Sequence, residues 1–164
     1  MKNELYSAYF YMGMYNWFHQ HDLTGFAHWY SIQVKEERDH AIRIRDYILR
    51  VDGECELLPI EAPDQHYQSV ADILQRTLAH EQFVTSKINE LMDVAVSEND
   101  YKTILFLQWY VIEQTEEEEN VRDMIERLKV ANNSDAGILI MDGELKSRKY
   151  TPVTGPYGSQ SLND

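Results

Sequence analysis

Glu37-Arg38-Asp39-His40 sets a carboxylate and an imidazole three residues apart in the middle of a long helix-period segment. Residues at i and i+3 share a helix face, so both side chains can reach one ion. The helix-spaced series Phe26, Tyr30, Gln33, Glu37, His40, Ile44 and Val51 is otherwise an apolar stripe of the kind that faces a core. Burying a charge without a partner costs several kcal/mol, so an inward Glu–His pair demands compensation. A metal ion supplies it.

Working outward, the chain contains four long segments with helix periodicity and no competing strand-period segment. The first runs to about His21 with the stripe Glu4, Ala8, Tyr11, Tyr15, Phe18. Asp22-Leu23-Thr24-Gly25 reads as a short turn, with Thr24 as N-cap of a second helix that stops at Asp52-Gly53. The third is expected from about His66 to Val96, with Val70, Leu74, Thr77, Glu81, Thr85, Ile88 and Met92 on one face. Ser97-Glu98-Asn99-Asp100 turns into the fourth, which reaches about Val130 with the stripe Leu107, Tyr110, Gln114, Glu117, Val121, Met124, Leu128.

Short turns make helices one and two, and three and four, antiparallel pairs. The connection between helices two and three, about residues 52 to 65, carries Pro59 and Pro63 and looks extended. Its span of roughly 45 Å exceeds the roughly 40 Å of a 27-residue helix. It can therefore cross the bundle and make helices two and three parallel. Asn132-Asn133-Ser134-Asp135 then caps a short apolar fifth helix around Ala136–Met141, whose expected cover is another subunit. The fold class expected is all-α: a four-helix bundle with one long crossover and a short C-terminal helix. Residues 1–146 form its domain, and the Pro-, Gly-, Ser- and Thr-containing stretch 147–164 is expected to be a disordered tail.

Composition narrows the classes. At 164 residues the chain suits one domain with a real core. No run is long enough for a transmembrane helix, no signal pattern opens the sequence, and the lone Cys55 fits a reducing compartment, so a cytoplasmic protein is expected. A formal charge of -13 disfavours nucleic acid and is compatible with cations.

Each of the four stripes carries a carboxylate: Glu4, Glu37, Glu81 and Glu117. One alone would be read as solvated or salt-bridged. Four, with Glu81 and Glu117 at matching distances from the turn between their helices, form a layer that cannot stay ionised without cations. Oxygen-rich ligation with one imidazole, His40, suits iron(II) or manganese better than zinc. Many di-iron bundles carry two Glu-x-x-His pairs; here the position on helix four reads Gln114-x-x-Glu117, which suggests unequal sites. Glu36, Glu113 and Glu116 lie beside this layer, either as a further cation site sharing Glu117 or as part of the solvated acidic run Glu116–Glu119. Tyr11, two turns from Glu4, and Trp109, four residues before Glu113, are either core packing or electron donors to the site. His19, His21 and His28 are expected to be exposed, and neither His66 nor His80 is assigned to metal.

These residues and their spacing resemble the non-haem bacterial ferritins over nearly the full chain. The resemblance rests on Glu4 with Tyr11, on Glu36-Glu37-Arg38-Asp39-His40, on His80-Glu81-Gln82, and on Phe106 to Gln114 with the acidic run behind it. It implies the ferritin-like fold and a di-iron ferroxidase centre. Site A would be Glu4, Glu37 and His40; site B would be Glu37, Glu81 and Glu117, with Gln114 close by as a hydrogen-bonding group. A third iron site would comprise Glu36, Glu113, Glu116 and Glu117, with Tyr11 and Trp109 as the aromatics near the centre. The implied activity is oxidation of Fe(II) by O2 or H2O2, followed by storage of ferric mineral in a homo-oligomeric shell of 24 chains. Arg38 stands where related bacterioferritins have a haem-ligating methionine, so no haem is expected. Only three residues precede Glu4, against about a dozen in family members, so Glu4 is expected in a fraying first turn of a chain that is short at this end. A di-iron or di-manganese carboxylate oxidase acting on another substrate is the alternative, and Gln114-x-x-Glu117 weighs against it.

Overall fold

A computed structural model describes residues 1–153. Its elements are α1 (Lys2–Gln20), α2 (Thr24–Arg50), α3 (Val70–Ser97), α4 (Tyr101–Val130) and α5 (Asp135–Leu145), with no strand among the described residues. Contacts divide the chain into two compact units. One comprises Met1–Tyr67 with the described residues from Ile138 onward; the other is Gln68–Gly137.

The four long helices end alike. Asp22, Asp52, Asn99 and Asn132 adopt the left-handed conformation, with φ of 58°, 60°, 54° and 53°. The following amide in each case reaches back to a carbonyl five residues earlier: Leu23 to Phe18, Gly53 to Ile48, Asp100 to Ala95 and Asn133 to Leu128, at 2.8–3.1 Å. Asp and Asn tolerate this region best among residues with a side chain, so each stop is written into the sequence.

In the first unit α1 and α2 run antiparallel, as Phe18 against Phe26 and Tyr11 against Tyr30 show, with ring centroids 4.9 and 5.8 Å apart. The buried face of α1 is Glu4, Ser7, Phe10, Tyr11, Gly13, Met14 and Phe18. On α2 the stripe from Phe26 to His40 is buried as expected, but it then shifts to Arg43 and Tyr47, leaving Ile44 half-buried and Val51 exposed. The segment after α2 has no regular structure and returns along α1. Cys55 Sγ meets Met1 Sδ at 3.3 Å, Glu61 pairs with Lys2 at 3.1 Å, and Gln65 and Tyr67 lie over Gly13. A Cβ at Gly13 would stand 2.9 Å from the Tyr67 hydroxyl, so the absence of a side chain lets this strap sit close.

Thr24 is not the N-cap of α2; the helix starts at Thr24 after Leu23 and has no local side-chain cap. The cap comes from far along the chain. Asp142 Oδ1 on α5 accepts from the amides of Gly25 and Phe26 at 2.7 and 3.0 Å. A carboxylate there also complements the positive end of the α2 dipole. Met141 and Asp142 are thus buried against their own chain, while Leu139 and Ile140 remain 64% and 63% exposed.

In the second unit the short turn between Ser97 and Tyr101 folds α4 back antiparallel on α3, and Gln114 and Glu118 of α4 bond Glu81 and Thr85 of α3. The third helix starts four residues later than the periodicity suggests. Ser69 Oγ accepts from the Asp72 amide at 3.1 Å, and Asp72 Oδ2 accepts from the Gln68 amide at 3.0 Å. This reciprocal capping fixes the start beyond His66.

Residues 148 to 150, expected to be disordered, pack on α2 instead. Arg148 bonds Glu36 and Tyr150 bonds Asp39. The rest of that expected tail, residues 154–164, lies outside the described residues.

Candidate metal centre

Glu4 on α1 and Glu37 with His40 on α2 converge in the first unit. One ligand atom from each lies within 4.8 Å of the other two. His40 Nδ1 is 3.8 Å from Glu4 Oε2 and 3.6 Å from Glu37 Oε2. The three side chains retain only 1–3% of their exposure, Glu4 included, so its first-turn position does not leave it in solvent. Two ligand atoms each about 2.1 Å from one ion stand roughly 3–4 Å apart, which these separations match. Buried Glu4 Oε2 accepts no hydrogen bond among the described residues. Two carboxylates and one imidazole converging in a buried site make a donor set that fits a hard or borderline divalent metal.

The second unit buries Glu81, Gln114 and Glu117 on the facing stripes of α3 and α4. Gln114 Nε2 donates to Glu81 Oε2 at 3.0 Å and to the Glu81 carbonyl at 3.2 Å, which fixes the carboxylate's orientation. Glu118, part of the acidic run that one of the two sequence alternatives leaves solvated, is buried. It accepts from Thr85 Oγ1 at 2.6 Å and pairs with Arg122. Helix phase could have found it, because Glu118 lies one turn after the buried Gln114. Glu113 is half-buried and Glu116 exposed.

Tyr11 is fully buried and Trp109 half-buried, the latter edge-on to Tyr110 with centroids 4.8 Å apart. His19 and His21 are exposed as expected. His28 is not, because its Nε2 donates to the Arg148 carbonyl at 2.8 Å. Burial pushes the His80 imidazole down to about 4, so it is neutral at pH 7. Asp39, which has no assigned role within the Glu37–His40 motif, is buried and bonded by Arg38 and Tyr150.

These features define an all-helical protein with a buried carboxylate–imidazole cluster that could hold a metal ion. The sequence places it further: residues 1–131 match the ferritin family's ferritin-like domain, and the chain belongs to that family. It is 33% identical over 147 residues to a bacterial non-heme ferritin of Campylobacter jejuni, covering 90% of this chain and 88% of that one. It is 37% identical, again over 147 residues, to one of Escherichia coli, covering 90% and 89%. Among solved structures, a closed form of Archaeoglobus fulgidus ferritin engineered by site-directed mutagenesis superposes with a TM-score of 0.89 at 37% identity, covering 92% of both chains. The open-pore ferritin of the same archaeon gives 0.88 at 36% identity, covering 90% of this chain and 91% of that one. The fold is therefore the ferritin four-helix bundle with its short fifth helix. No helix among the described residues is long and apolar enough to cross a membrane.

Proposed function

We propose that this chain stores iron, oxidising Fe(II) with O2 or H2O2 and sequestering the ferric product in a shell of 24 copies. The buried Glu4–Glu37–His40 cluster carries the reading, because it has the ligand chemistry and closure of an iron site. The family resemblance assigns Glu81 and Glu117, on α3 and α4, to a second iron. Gln114 would hold Glu81 in one orientation through its 3.0 Å bond. Negative ligands favour Fe(III) over Fe(II), so the carboxylates lower the potential at which each Fe(II) gives up its electron. The oxidant takes up these electrons, and hydrolysis of the ferric product releases protons. Tyr11, buried on α1, and Trp109 on α4 are proposed as auxiliary electron donors.

The test is aerobic addition of Fe(II) to full-length protein, followed by absorbance of the ferric product and by sizing. The expected result is rapid oxidation in an assembly of roughly 460 kDa, 24 times the 19.3 kDa chain. His40→Ala should abolish the rapid phase while leaving assembly unchanged. An unaltered rate in that variant rules the centre out.

A further inference from the structure

Residues 148 to 150 are held on α2 by a dense set of contacts. Arg148 places its guanidinium 2.7 Å from Glu36 Oε2 and 4.7 Å above the Trp29 ring, and donates to the Trp29 carbonyl at 3.4 Å. Its own carbonyl accepts from His28 at 2.8 Å. Two residues on, the Tyr150 hydroxyl donates to buried Asp39, and Lys35 Nζ lies 5.5 Å from the Tyr150 ring centroid. The Arg148 and Glu36 side chains keep only 22% and 15% of their exposure, so their pairing is partly shielded from water. Arg148 sits between a carboxylate and an aromatic face, the arrangement that suits a planar guanidinium best.

Glu36 neighbours the metal ligand Glu37 in sequence and is the α2 carboxylate expected in a third iron site. A carboxylate engaged at 2.7 Å by a guanidinium has given that oxygen to a fixed positive charge. We propose that Arg148 acts as a built-in cation at Glu36, so that the strap of residues 148 to 150 competes with a third metal ion. The strap thereby limits tight binding to the two ions of the central site. Tyr150 on Asp39 and Arg148 on Trp29 tether the strap, so a third ion must displace several contacts together. This inference rests on the di-iron reading and adds a chain-specific restriction to it.

The test is calorimetric titration of the full-length, metal-stripped protein with Zn(II), a redox-inert divalent probe. Wild type should saturate at two ions per chain. Arg148→Ala should gain a third ion, bound about tenfold more tightly than any weak third event in wild type, the scale expected for loss of one part-buried ion pair with its cation–π contact. Glu36→Gln in the Arg148→Ala background should return the count to two, which ties the gain to that carboxylate. Lys149→Ala removes an exposed positive charge next to Arg148 and should leave the wild-type count. Equal counts and affinities of at least two ions in wild type and Arg148→Ala overturn the strap while leaving the central site standing. A gain in Lys149→Ala as large as that in Arg148→Ala also overturns it, since general charge would then suffice. Absence of Zn(II) binding in every variant overturns the di-iron reading and the strap together.

Discussion

Gly25→Ala tests how α5 is attached, because two physical effects give it opposite signs. In an ordinary helix the change should stabilise by about 0.5–1 kcal/mol, since glycine loses more backbone freedom on folding. At this site a Cβ would stand 1.7 Å from the Asp142 carbonyl oxygen and 2.6 Å from its carbonyl carbon. Real Cβ atoms keep at least 3.0 Å, so the α5 backbone must retreat by about 1.3 Å. That movement stretches the Gly25 and Phe26 amide bonds to Asp142 Oδ1, now 2.7 and 3.0 Å, beyond hydrogen-bonding range. Hydrogen bonds to a charged acceptor contribute about 1.5–3 kcal/mol each. Two bonds sharing one oxygen are assigned about 3 kcal/mol together. Setting the glycine term against this leaves a net loss of about 2 kcal/mol. Urea unfolding of metal-free protein, at one fixed protein concentration because assembly couples to stability, measures it. Asp142→Ala should lose a similar amount. The double variant should lose less than the sum, because α5 displacement already sacrifices both bonds. A Gly25→Ala protein as stable as wild type, or more stable, refutes the reasoning.

Other outcomes follow from the same geometry. Glu37→Gln should leave metal-free protein as stable or slightly more stable, because it removes a buried charge. It should also remove most of the thermal protection conferred by Zn(II); protection equal to that of wild type in a melting series would contradict its role as ligand. Ser69→Ala should cost about 1 kcal/mol through loss of the bond from the Asp72 amide, read by urea midpoint at unchanged slope. Gln114→Leu should weaken Zn(II) binding more than it lowers unfolding stability, since it frees the Glu81 carboxylate; titration and denaturation on the same sample separate the two.

Much of the architecture was legible because helices repeat. The stripe on α4 is buried at every named position from Leu107 to Leu128. On α2 the same logic located Glu37 and His40, and α1 supplied Glu4 from an equivalent phase. The errors occur where local signals compete. Thr24 has the chemistry of an N-cap, yet Asp142, 117 residues from Gly25, takes that role. Four residues with no break in periodicity precede α3, and only the mutual capping of Ser69 and Asp72 sets its start. Glu118 was hidden in a run of like residues whose exposure differs from one side of the helix to the other.

The tail shows the limit most clearly. Composition after Lys146 argued for disorder, because Pro, Gly, Ser and Thr bring little apolar surface to bury. Arg148 and Tyr150 are nevertheless held by partners 111 to 120 positions away on α2. The sequence by itself determined the helices, their stops and the carboxylate–imidazole chemistry, because these depend on neighbours within one or two turns. Only the tertiary structure decided that Asp142 caps α2 and that Arg148 claims Glu36. Both contacts join residues brought together by the fold, and no short-range pattern in the chain encodes such a meeting.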